Sequence, residues 1–185
     1  MTPEALAQLA PYEGPFPLWE GAKAHRFAPG VFAQVVEDLG HGVFAMGPLW
    51  PPGPWNEEPD RIEWRHAGQP CLMVRANLLG HWCGYVGVSR AHPWHGRHFD
   101  DVGDDVAVHG GLTFSDGCGG LICHVPEPGE DDDVHWFGFD CAHPFDGAPA
   151  MGLVAPLLET YRDVAYVRGE VEQLAEQARG AAVAS

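Results

Sequence analysis

Basic residues are scarce in this chain: one lysine, Lys23, and nine arginines stand against 26 acidic residues, for a formal charge of −16. A surface so acidic repels phosphate backbones and anionic headgroups, which disfavours direct nucleic-acid or anionic-membrane binding. Long apolar runs are also missing, and no stretch approaches the ~20 residues of a membrane span. The first residues, MTPEALAQLAPYE, carry neither a basic lead nor an apolar run of the secretory kind, so the cytoplasm is the expected compartment. Cysteine is sparse and odd in number: Cys71, Cys83, Cys118, Cys123 and Cys141. In a reducing compartment all five are expected to be free thiols.

What is present suits one ordinary globular domain. The 185 residues are 45% hydrophobic with a mean hydropathy of −0.16, enough to bury a core without staples. The acidic surface reads either as the solubilising face of a high-GC, Ala/Gly/Pro/Arg-rich source or as a decoy imitating DNA.

Residues 1–10 suit a short helix, with Thr2 as cap, Pro3 at the first helical position and Pro11 as stop. A second short helix fits 31–39, ended by Gly40. GPLWPPGPWNEEPD (47–60) holds five prolines and cannot be regular structure, so it is a linker or an aromatic-bearing loop over the core. From Cys71 the pattern changes to strands. CLMVRA (71–76) and HWCGYVGV (81–88) suggest a hairpin, and further strands are expected at 106–114, at LICHV (121–125) and at VHWFGFD (134–140). Near the end, Thr160 and Asp163 resemble a capping box, Val164, Val167, Val171, Leu174 and Ala178 form an apolar stripe, and Gly180 provides a stop. The expected fold is α+β: a mostly antiparallel sheet of four to five strands packed by a long C-terminal helix. Residues 1–61 read as a helical and Pro/Trp-rich N-terminal extension, and 62–185 as the α+β core domain.

Reactive side chains concentrate in VHGGLTF (108–114) and WFGFDCAH (136–143). His109 precedes Gly110 and Gly111, which permit close backbone approach to a ligand, and in an extended strand it shares a face with Thr113. Such a histidine could be a general base beside an oxyanion site, or a buried histidine at a strand bulge. Cys141 follows Asp140 and precedes His143. A nucleophilic Cys141 needs a nearby imidazole, for which His109 is the better partner, with Asp140 or Asp146 orienting it. The same residues also form a candidate zinc site, with His109, Cys141 and His143 as ligands, while the competing reading makes Cys141 a buried core residue. In HPWHGRH, His92, His95 and His98 could converge on a divalent ion with Asp100 or Asp101. Cys118 and Cys123, with His124 adjoining, loosely resemble a zinc clip, although the glycines between them fit a turn equally well. Trp50 and Trp55, among the prolines, could wall a ligand pocket, and Trp94 lies in the histidine loop.

The ordered series CLMVRA, WCGYVGV, HPWHG, DDV, VHGGLTF, ICHVPEPG, DVHWFGFDCAH and YRDVAYVRGEVEQLAEQ resembles a family of small proteins common in bacteriophages, prophages and high-GC bacteria. The resemblance covers roughly residues 62–177 and implies a cytoplasmic, phage-associated accessory protein. His95 and His98 fall where the resembling proteins often carry other residues, which moves the weight to His92, His109, Asp140, Cys141 and His143.

Two function classes follow. One is a small hydrolase or transferase on a soluble substrate, with His109 as base, Cys141 as nucleophile or metal ligand, and Asp140 or His143 orienting; His92, Trp94, Asp101, Gly110, Gly111 and Thr113 are the candidate ligand contacts. The other is a non-catalytic counter-defence protein that sequesters a small molecule or blocks a host protein through its acidic face.

Overall fold

Alternating side chains build the centre of the molecule. In a computed structural model, which describes residues 7–27, 52–76, 79–103, 105–126, 133–151 and 158–184, Cys71 and Met73 of one strand enter one core while Leu72 and Val74 enter another on the opposite face. This strand belongs to an antiparallel sheet formed by β1 (Leu9–Pro11), β2 (Lys23–Phe27), β3 (Arg61–His66), β4 (Gln69–Arg75), β5 (Trp82–Ser89), β6 (Phe114–Gly117) and β7 (Val134–Asp140). Its seven strands lie in the order β1-β2-β3-β4-β5-β7-β6, more than the four to five expected. A short helix α1 (Asp100–Gly103) follows β5, and a parallel pair, β8 (Asp146–Gly147) and β9 (Thr160–Tyr161), leads into helix α2 (Val164–Ala184).

Helix α2 lies on β3, β4 and β5. Its stripe of Val164, Val167, Val171, Leu174 and Ala178 is buried against Trp82, Val86, Phe137 and Phe139, as the spacing implied. Full burial of side chains such as Val171 and Leu174 contributes roughly 1.5–3 kcal/mol each. Gly84 makes the close approach of helix to sheet geometrically feasible, because a Cβ there would stand 2.6 Å from both Phe139 and Val171. The Asp163 carboxylate accepts the Tyr166 N–H at 2.9 Å and Glu58 Oε1 accepts the Val164 N–H at 3.5 Å, so the first turn is capped without Thr160, which belongs to β9. Nor does Gly180 end α2, which continues to Ala184 with Ala181 still packed on the core.

Several expected elements are replaced. Leu9–Pro11 is a strand paired with β2 rather than the end of a helix, while residues 1–6 and the helix expected at 31–39 lie outside the described residues. Residues 106–113 form a loop, because Gly110 and Gly111 take φ values of 66° and 87° that break the extended path before β6. LICHV makes only one bridge, between Gly119 and Ile122. That tight turn brings the Cα atoms of Cys118 and Cys123 to 4.8 Å, where they form a disulfide in place of the free thiols or zinc clip expected. Buried Arg61 donates to the carbonyls of Leu121 and Cys123 and holds this loop to the sheet. In the Pro-rich segment, expected to hold no regular structure, Pro54–Asn56 form one 3-10 turn, and Trp55 within it is 3% exposed and packs edge-on against Tyr161, so the described part lies over the core rather than serving as a linker or pocket wall. Trp50 lies outside the described residues. No helix among them is long and apolar enough to cross a membrane.

Candidate functional site

The chain after β7 turns sharply. The Cys141 N–H bonds to the Trp82 carbonyl, and residues 143–146 then close a turn in which the Asp146 carboxylate accepts the His143 N–H at 3.0 Å. Phe145 within it takes a φ of 76°, costly for a residue with a side chain. Asp146 opens β8, whose partner β9 delivers Arg162, and the Arg162 Nε–H donates to Asp146 Oδ1 at 2.8 Å.

From the other side comes the loop at 106–111, fastened to one face of α2. The Ala107 N–H donates to Gln177, its carbonyl accepts from Gln173 and Gln177, and the His109 N–H donates to Glu170 at 2.7 Å. These bonds set the His109 ring between two partners: Nε2 lies 2.8 Å from Asp146 Oδ2 and Nδ1 lies 2.9 Å from the Tyr166 hydroxyl. A carboxylate only accepts, so Nε2 carries the proton, and in the neutral ring Nδ1 accepts from the phenol.

His143 completes the cluster, its ring edge-on to His109 with centroids 5.2 Å apart and Nδ1 at 3.7 Å from Asp146 Oδ2. That Nδ1 is buried and makes no hydrogen bond. Beneath it Gly110 leaves room, since a Cβ there would fall 2.0 Å from His143 Cε1. His109, His143 and Asp146 each offer one ligand atom, all within 4.8 Å of one another, and no other His, Cys, Asp or Glu trio among the described residues is so placed. Two imidazoles and a carboxylate suit zinc and related divalent ions. Burial alone pushes the Asp146 carboxyl up, but the bonds from Arg162, His109 and the His143 backbone reverse this and hold it below the usual range.

The expected Cys/His/Asp arrangement is not formed. Cys141 is 1% exposed and packs in the core, burial pushes its thiol well up with Asp146 adding to the effect, and it lies outside the ligand cluster. Asp140 accepts from the Thr113 hydroxyl and the Ala142 N–H, securing its own turn, while Asp146 orients the imidazole. Thr113 is thereby committed to Asp140. His92 lies apart: its Nε2–H donates to the Ala178 carbonyl at 2.8 Å and its Nδ1 accepts the Trp94 N–H, which leaves neither nitrogen for a ligand. Trp94 packs into the core against Phe137, and Asp101 is exposed on α1. His95 instead faces Asp133, His98 faces Asp100, and the three-histidine loop does not converge.

Tyr166, Glu170 and Arg162 were not singled out from the sequence. A signal was there: Tyr166, Glu170, Gln173 and Gln177 recur at spacings of four, three and four, a polar stripe beside the apolar one. No family model, curated protein or solved structure matches this chain.

Proposed function

We propose that the protein is a metal-assisted hydrolase of a small soluble substrate, with a divalent ion of the zinc class held by His109, His143 and Asp146. The observation that carries this reading is the convergence of three ligand atoms within 4.8 Å, each ligand supported from behind. Tyr166 stands at the far nitrogen of His109, Arg162 holds the second oxygen of Asp146, and Gly110 seats His143. With His109 Nε2 on an ion, the ring proton moves to Nδ1 and is donated to the Tyr166 oxygen, the outer contact that orients a ligating imidazole. An ion of the zinc class held there would draw together ligand atoms that already lie within 4.8 Å of one another.

Three protein ligands leave a fourth position for water, whose pKa an ion such as zinc lowers to about 7. Bound there, such an ion would supply an activated water for hydrolysis: the water oxygen's new bond to the acyl or phosphoryl centre would replace the bond to the leaving group, which would take up a proton. A transferase would use the same centre with another acceptor in place of water. The motif resemblance sets this activity in an accessory role for a phage or prophage.

Zinc titration followed by calorimetry, with elemental analysis of the purified protein, tests the proposal. The expected result is one zinc per chain, with His109→Ala, His143→Ala and Asp146→Asn each weakening binding more than about 100-fold, beyond the loss typical of outer-contact changes. Zinc-dependent turnover of p-nitrophenyl esters should disappear with the ion. Zinc uptake indifferent to all three substitutions, or none by the unaltered chain, would end the metal reading and return the case to a non-catalytic binding protein.

A further inference from the structure

We infer that Arg162 is an oxyanion-binding residue of this site, so that the substrate carries a phosphate or carboxylate group; this rests on the metal-assisted reading above. Arg162 enters directly after β9, and its Nε–H is committed to Asp146 Oδ1 at 2.8 Å. Its guanidinium lies over the Tyr166 ring, 4.7 Å from the centroid, and its side chain is 27% exposed. The two terminal nitrogens make no hydrogen bond with any described residue, so a fork of N–H donors is held at the rim with its stem and plane fixed. Such a fork matches two oxygens of a carboxylate or phosphate, and prior fixing by Asp146 and Tyr166 reduces the entropy lost when it binds.

Charge favours the same assignment. In a chain of formal charge −16 an anion is drawn only where positive groups are concentrated. A divalent ion together with Arg162 offsets the carboxylates of Asp140, Asp146 and Glu170, which makes this neighbourhood neutral within an acidic surface. An oxyanion could then place one oxygen at the open position of the ion and others on the Arg162 fork. This two-point hold recurs where metal and arginine stabilise charge developing on a reacting oxyanion.

The test is titration of inorganic phosphate and, separately, acetate into the full chain, metal-free and at saturating zinc, with zinc occupancy measured independently for every variant. Arg162→Gln is expected to weaken binding of the preferred anion about tenfold or more, in line with loss of charge-assisted hydrogen bonds. Arg162→Lys should recover only part of it, since an ammonium cannot form the fork. Arg97→Gln, with the same change in net charge on a residue bonded to the Asp101 carbonyl, should leave anion binding unchanged. Preference for phosphate identifies a phosphate ester and preference for acetate a carboxylate. Equal anion affinity for the unaltered chain and Arg162→Gln, or no binding of either anion, overturns the inference even if zinc binds. Failure of zinc to bind overturns the metal reading instead, and the metal-free titration then decides Arg162 by the same comparison.

Discussion

Gly110 and Gly111 both hold positive φ, yet only the first faces a neighbour: its missing Cβ leaves space for the His143 ring, whereas a Cβ on Gly111 would meet nothing within 4 Å. Alanine at either position carries left-handed backbone strain of about 1–2 kcal/mol. At about 2–4 °C per kcal/mol for a chain of this size, each substitution should lower the melting temperature by several degrees. Gly110→Ala must also displace an imidazole. It is therefore expected to weaken zinc binding about tenfold or more, while Gly111→Ala leaves it nearly unchanged; calorimetric titration of both variants reads the difference. Equal effects would mean that the glycines serve only the turn. At this scale the sequence identified His109 and His143, because histidine beside paired glycines or at the end of an aromatic strand stands out. Asp146 entered only as an alternative to Asp140, since nothing in the order of residues tells which carboxylate the turn at 143–146 folds back. Cys141 stood out because a thiol next to an aspartate looks reactive, whereas the core it shares with distant residues of β5 and α2 could not be read from its neighbours in the sequence.

Helix α2 has two jobs on adjacent faces, and only one was legible. The apolar stripe announced the helix and its contact with the sheet, just as the β-branched and aromatic runs announced β4, β5 and β7. The polar stripe of Tyr166, Glu170, Gln173 and Gln177 drew no reading from the sequence, although it fixes the loop that carries His109. Strand β3 was missed for a related reason: RIEWRH alternates as a strand should, but its turn into β4 uses Ala67 at φ 50° with Gly68, without the usual Asn-Gly or Asp-Gly signal. For the polar stripe the expected ranking is definite. Gln177 serves both the N–H and the carbonyl of Ala107, while Gln173 shares only the carbonyl. Gln177→Ala should accordingly speed hydrogen exchange across 106–111 and weaken zinc binding several-fold, with Gln173→Ala closer to the unaltered chain and both remaining folded. Hydrogen exchange by mass spectrometry checks the order, and a larger effect from Gln173→Ala would contradict it.

For the molecule as a whole, acid should loosen the fold well before its carboxylates titrate. His25 in β2, His81 before β5 and His92 after it each have a pKa lowered chiefly by burial, so the native state keeps all three neutral. In the unfolded chain each takes up a proton near pH 6.5. Across that window the unfolded state binds more protons than the native one, so stability is full above about pH 6.5 and is lost as pH falls toward the lowered folded values. Two effects oppose this: proton uptake reduces the net charge of −16 and with it the self-repulsion of the native state, and the Asp60 carboxyl, pushed up by burial, takes its proton more readily in the native state than in the unfolded chain, although it is one group against three imidazoles. Repulsion is spread over the surface and screened beyond ~8 Å at physiological salt, whereas burial of an imidazole is screened much less, so the buried histidines should prevail. Melting of metal-free protein in chelator and 0.15 M salt, about the physiological level, is therefore expected to shift downward from about pH 7.5 to about pH 5, the window around the histidine value. His81→Gln, which removes a titrating site whose Nδ1 is buried without a hydrogen bond, should make that slope shallower whatever it does to stability at neutral pH. A melting temperature that stays level or rises through the window would assign the acid response to the opposing effects instead.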